Sequence, residues 1–231
     1  MSELAPIVFV LVFAAVVGLA CWLVVRALRR NRALRGGPGS DSSGQLAMLA
    51  AECGWRFVPQ DSDVLKRFTG YPFRQAGRAR PVFDLVTGTH RGRAFTCFQY
   101  SRPRSLPPGE FPVEIRYARV FTVSLDAPVP TMLITTARAA PRWTRRFTTD
   151  DETFDRTFAV GTEDERFASA VLTQPVRRWL VDNPPTVTLR LGGPDLIGWH
   201  AERKEFDART VIPVLDYLCD LLDQIPPAAL Q

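Results

Sequence analysis

The sequence predicts an α+β protein: an N-terminal transmembrane helix followed by one soluble domain, a mostly antiparallel sheet covered by helices. Three observations carry this expectation. Residues 5–25 form an apolar run without a single charge. Strand-like segments cluster in the middle of the chain, and helical patterns lie at both ends. The regular strand–helix alternation that a parallel sheet requires is absent.

The apolar run comes first. At 1.5 Å rise per residue a helix over 5–25 is about 30 Å long, the thickness of a bilayer core. It is apolar all round, and the preceding residues "MSELAP" lack the basic n-region of a cleaved signal peptide. Arg26, Arg29, Arg30, Arg32 and Arg35 follow it, and no basic residue precedes it. Basic residues collect on the cytoplasmic side, so the sequence predicts a single-pass cell-membrane protein with residues 1–4 outside and the domain cytoplasmic. The lipid bilayer is thus the expected partner of residues 5–25, and the five arginines are candidate contacts for anionic head groups. Residues 26–45 read as this basic flank and a flexible Gly/Ser linker, 46–225 as a single α+β domain, and 226–231 as a tail.

Within the domain, "SSGQLAMLAAECGW" predicts a short helix stopped by Gly54. "DSDVLKRFTG" predicts a second, capped by Asp61 or Ser62 and closed by Gly70. "PVFDLVTGT" and "RAFTCFQYS" flank "HRG" as a hairpin. "EIRYARVFTVSL" alternates as a half-buried strand, with Ile115, Tyr117, Phe121, Val123 and Leu125 on one face and only Arg119 out of pattern. "TMLITTA" predicts a further strand, and the proline-rich "RPRSLPPGEFP" a long loop.

The second half reverts to helix. Thr162 and Glu165 stand at capping-box spacing before "RFASAVLTQPVRRWL", which Pro175 should divide. "TVTLRL" and "LIGWHAE" flank "GGPD" as a second hairpin. Val211, Val214, Leu215, Leu218, Leu221, Leu222 and Ile225 form an amphipathic stripe on the last helix.

Composition narrows the function classes. Hydrophobic residues make up 46% and charged residues 23% of the 231, an ordinary globular profile with one membrane-like insert. Lys66 and Lys204 are the only lysines, so the positive charge is carried by arginine. Net charge is +5, and five arginines lie beside the apolar run, so the domain is near neutral and nucleic acid is not an expected partner. Cys21, Cys53, Cys97 and Cys219 are scattered among apolar neighbours and read as reduced, buried thiols.

Catalytic and metal motifs are missing. No phosphate loop, dinucleotide fingerprint, nucleophile elbow or zinc-helix pattern occurs, so no catalytic residue, metal or cofactor is assigned. His90 falls in a predicted turn and His200 on a strand. "DSD" at Asp61–Asp63 precedes a helix, where acidic residues cap free N–H groups. Asp150, Asp151, Glu152 and Asp155 lack the glycine and spacing of a calcium loop. "RWTRRF" sets Arg142, Arg145 and Arg146 beside Trp143; it reads first as a solvated loop and second as a lipid contact, in which these four residues meet anionic head groups.

Three stretches, "GWRFVPQDSDVLKRFTGYPF", "GTHRGRAFTCFQY" and "FDRTFAVGTEDERFASAVLTQPVRRWL", resemble an uncharacterised family of single-pass membrane proteins common in high-GC Gram-positive bacteria. The likeness runs from Leu46 to the end. It implies a membrane-anchored α+β domain and carries over no activity, cofactor or site residue. The functional expectation is a non-catalytic cytoplasmic interaction or scaffold domain with an unknown protein partner. The rivals are an enzyme acting on a lipid or envelope precursor and a lipid-binding sensor.

Overall fold

The computed structural model describes residues 40–61, 63–73, 81–103, 115–139, 146–202 and 206–231. Gly39–Gln231 forms one compact unit; residues 1–39 lie outside the described residues.

The expected α+β architecture is present: among the described residues, seven strands form a mostly antiparallel sheet, with a helix before the first strand and another after the last. The expected placement as a single-pass cell-membrane protein, N-terminus outside and domain cytoplasmic, is not upheld. Among the described residues no helix is long and apolar enough to cross a membrane. The longest, Val211–Gln224, has 14 residues and spans about 21 Å, short of the ~30 Å a hydrocarbon core demands. Residues 5–25, on which the expectation and its bilayer partner rest, lie outside the described residues, as do Arg26, Arg29, Arg30, Arg32 and Arg35.

Helix α1 (Ser40–Glu52) opens the described fold, so residues 40–45 form its first turns where a linker was expected. Gly54, at φ +68°, ends it as foreseen. Strand β1 (Arg56–Asp61) follows at the sheet edge, where Pro59 is tolerated because its missing N–H faces no partner. A single 3-10 turn, Val64–Arg67, stands where a helix closed by Gly70 was expected; its N-cap is Asp63, and Asp61 Oδ1 accepts from the backbone N–H of Asp63 and Val64 at 2.6 and 3.2 Å.

The predicted hairpin of β2 (Val82–His90) and β3 (Arg93–Pro103) is present, but His90, expected in the turn, is the last paired residue of β2. Arg91 and Gly92 both have positive φ, +50° and +80°, the conformation that matches the strands' right-handed twist in a two-residue turn.

Strand β4 (Ile115–Thr136) departs from expectation by absorbing "TMLITTA" into one 22-residue strand. β7 (Thr188–Glu202) likewise runs straight through "GGPD", with no second hairpin. The reason lies in the pairing. From Ser124 to Met132 β4 advances eight residues while β7 moves only four, from Asp195 to Leu191. The excess forms bulges that bend the pair. Gly193, at φ +59°, and Pro194 sit at that bend, so their turn chemistry serves a bulge and not a chain reversal.

One edge of β4 pairs first with β3 and then with β6 (Phe158–Thr162); the two-residue β5 (Arg146–Phe147) pairs β6. Before β6, helix α2 (Glu152–Thr157) is capped by Asp151. After it, Pro175 separates α3 (Glu165–Val171) from α4 (Gln174–Asp182), as expected. The α3 cap is Asp164, whose Oδ1 accepts from Phe167 N–H at 2.9 Å. Thr162 is still paired within the sheet, so the cap falls two residues later than the predicted capping box.

Helix α5 (Val211–Gln224) buries the whole predicted stripe. It shares one sheet face with α1: Leu46 and Ala50 join Val86, Phe95, Cys97, Phe121 and Val123 in the larger core. The opposite face is also closed. There Val64, Phe68 and Phe73 cover Phe98, Tyr100, Ala118 and Val120, with the rings of Phe68 and Phe73 stacked at 5.0 Å. β4 is therefore buried on both faces where a half-buried strand was expected.

A buried polar row as the candidate functional site

Four polar side chains cross the sheet at one level, on the face covered by α1 and α5. The register pairs Gln99 of β3 with Arg119 of β4, and Arg119 with His200 of β7. Directly opposed residues on one face stand about 5 Å apart at Cβ. On β2 the pairing shifts between Phe83 and Val86, and Asp84 is the extra residue, held at φ +53°. The bulge turns its carboxylate inward, where Oδ2 accepts from Gln99 Nε2 at 2.5 Å and Oδ1 from the Ser43 hydroxyl of α1 at 2.5 Å. Asp84, Gln99 and Arg119 are 1%, 0% and 2% exposed. Among the described residues Gln99 Oε1 has no hydrogen-bond partner.

Aromatic rings flank the charged end of the row. The Arg119 guanidinium lies 5.4 Å from the ring centroid of Phe206, and the ring of His200 lies 6.2 Å from that of Phe121. Burying charge and strained backbone together opposes folding. Apolar packing on both faces makes such a row superfluous to the core, which marks it as the site to explain.

His90 lies elsewhere. As the last residue of β2 it brings Nε2 to 2.7 Å from Asp216 Oδ1 on α5. The adjoining arginines extend this clasp: Arg91 reaches Asp220 and Asp223, at 2.5 and 2.8 Å, and Arg93 reaches Asp223 at 2.8 Å. Trp55 stands edge-on to His90 and donates its indole N–H to the Thr89 carbonyl at 3.1 Å. The nearby Cys219 thiol is pushed up in pKa by burial, against the pull of Arg93 and Arg91, the reverse of what a nucleophile needs. The dyad thus orients a hairpin on a helix.

A third polar group sits on the other face. Arg190 Nη1 donates to the carbonyls of Thr69 and Tyr71 at 2.6 and 3.1 Å, tying that loop down. Burial lowers the Arg190 pKa and raises that of Asp195, 4% exposed, whose carboxylate is favoured in turn by Arg67, Ser124 and Arg190.

The remaining sequence candidates separate. Arg142, Trp143 and Arg145 lie outside the described residues; Arg146 is exposed, and its Nη2 donates to the Asp155 carbonyl at 3.1 Å. Asp151 and Asp155 hold backbone and hydroxyl donors, and Asp150 pairs with Arg177 at 2.7 Å. No group of three or more metal-ligating side chains forms among the described residues. Cys97 and Cys219 are buried free thiols, whereas Cys53 is exposed, contrary to expectation. Of the polar row, sequence analysis marked His200 and noted Arg119 as out of pattern; Asp84, Gln99 and Ser43 were missed. The signal for Asp84 and Gln99 was present, since "VFDLV" and "CFQY" each set a carboxylate or an amide inside an apolar run; nothing marked Ser43.

The sequence matches no protein-family model and no curated protein sequence. The structure is similar to the crystal structure of the mycobacterial trehalose monomycolate transport factor A, TtfA, with a TM-score of 0.58 and 12% identity. The likeness covers 82% of this chain and 98% of that one. The two share a fold.

Proposed function

We propose that this chain is a non-catalytic interaction domain serving the handling of envelope lipids, acting by holding a partner protein. The observation that carries the reading is the fold it shares with nearly the whole length of a trehalose monomycolate transport factor. The local chemistry supports the non-catalytic half. His90 is committed to Asp216, and the neighbouring thiol is held protonated.

The test has two arms. Deleting the gene in its source bacterium should make labelled glycolipid precursors accumulate at the expense of surface lipid, with recovery on complementation. Purified full-length chain should leave the same precursors chemically unchanged. An unaltered lipid distribution overturns the envelope role, and conversion by the purified chain overturns the non-catalytic one.

A further inference from the structure

We infer that α1 is a displaceable cover over the Asp84–Gln99 end of the polar row, latched by the Ser43–Asp84 hydrogen bond. The helix is held by little. Its first five residues, Ser40, Asp41, Ser42, Ser43 and Gly44, are weak helix formers. An isolated helix of 13 residues is marginal in water, so α1 depends on what it packs against. Its fully buried positions are Ser42, Leu46 and Ala50, one per turn, and Leu49 packs on the core from a half-buried position, so two large apolar side chains hold it. Met48, 65% exposed, points away. Low-stability elements of this kind open locally while the rest of a domain stays folded.

What α1 covers differs from ordinary core. The latch residue Asp84 sits in strained left-handed backbone, and its second oxygen holds Gln99. Release of Ser43 frees one lone pair of a carboxylate that is 1% exposed and admits water to the Asp84 end of the polar row. Solvating that end offsets part of the loss of Leu46 and Ala50 packing, so opening is favoured more than apolar burial alone predicts. The sheet beneath is fixed independently by its pairing and by α5.

Cys97 reports the opening. It lies on β3 two residues before Gln99, on the same face, and is 0% exposed; Cys219 on α5 is equally buried and serves as the internal reference. The experiment is maleimide labelling of the full native chain, with the rate at each cysteine read by peptide mass spectrometry. In Ser43→Ala, labelling of Cys97 should accelerate about tenfold while that of Cys219 is unchanged. Gly44→Ala adds a Cβ into open space and favours the helix. It should slow Cys97 about fivefold, again without moving Cys219. Cys97 and Cys219 rising and falling together in these variants means global unfolding and overturns the cover; so does a Cys97 rate that neither variant moves.

Discussion

Asp84 tests whether the polar row is an assembled network or an accident of packing. Its carboxylate accepts two hydrogen bonds, from Ser43 and Gln99, at 1% exposure. Hydrogen bonds to a charged group contribute about 1.5–3 kcal/mol each, and truncating one member of a buried charged cluster costs about 3–5 kcal/mol. Alanine at φ +53° adds roughly 1 kcal/mol of backbone strain. Asp84→Ala should therefore destabilise by about 4 kcal/mol, leaving the Gln99 amide buried without its acceptor. Asp84→Gly loses the same bonds but relieves the strain, for about 3 kcal/mol. Asp84→Asn keeps the shape and tolerates the left-handed region; its oxygen can accept from Gln99 and its NH2 can donate to Ser43, so the loss is about 1 kcal/mol. Urea unfolding at pH 7 resolves this ladder, since at a slope of about 1–3 kcal/mol per molar the alanine midpoint falls by more than about 1 M. Three variants within about 0.5 kcal/mol of wild type, or asparagine as costly as alanine, would show that the hydrogen bonds contribute nothing and refute the network.

Three further outcomes follow from single sites. Gly88 allows Trp55 to lie against β2: an added Cβ would stand 2.4 Å from Cδ1 of the indole, so Gly88→Ala should cost about 2–3 kcal/mol by overpacking and shift the tryptophan emission. The Tyr217 hydroxyl donates to the Asn183 carbonyl at 2.9 Å; Tyr217→Phe should lower stability by about 1 kcal/mol in the same urea assay while keeping the ring contact with Trp179. Burial holds the Asp195 carboxyl above its usual range, so its contribution is present below the unfolded value and lost as pH rises through the folded one. Wild type should gain on Asp195→Asn as pH falls from 7 towards 4; midpoints that run parallel across that range would remove the argument.

Periodicity made part of this fold legible. The last helix is legible residue by residue because a one-sided stripe is unambiguous at helical spacing, and the β2–β3 hairpin because "HRG" interrupts two strand-like runs. The misreadings share a cause. "GGPD" carries the chemistry of a turn, and "EIRYARVFTVSL" and "TMLITTA" look like separate strands; only tertiary pairing shows that both breaks lie where β4 and β7 bulge against each other. β1 was hidden by Pro59, which excludes a central strand but not an edge. The row was hidden for a related reason. Asp84, Gln99 and Arg119 are far apart in sequence, and each looks like a single flaw in an apolar strand; strand order and one bulge make them neighbours.

That convergence weighs against a purely structural role. Isolated buried polar residues are normally satisfied by nearby backbone, as Arg190 is by the carbonyls of Thr69 and Tyr71. The row instead gathers a carboxylate, an amide, a guanidinium and an imidazole from four strands, and holds Asp84 in a conformation its residue type adopts rarely. Replacing such a cluster with apolar side chains of equal volume is commonly neutral or stabilising, so folding alone does not select it. The same face already carries a continuous apolar core from Leu46 to Ile225 that needs no charge to specify its packing. The element covering the Asp84 end of the row is also a helix that begins with weak helix formers, and its latch is made by the row itself. A permanent core would be closed by its strongest contacts; a surface used intermittently is closed by contacts that can be exchanged for water or for a partner.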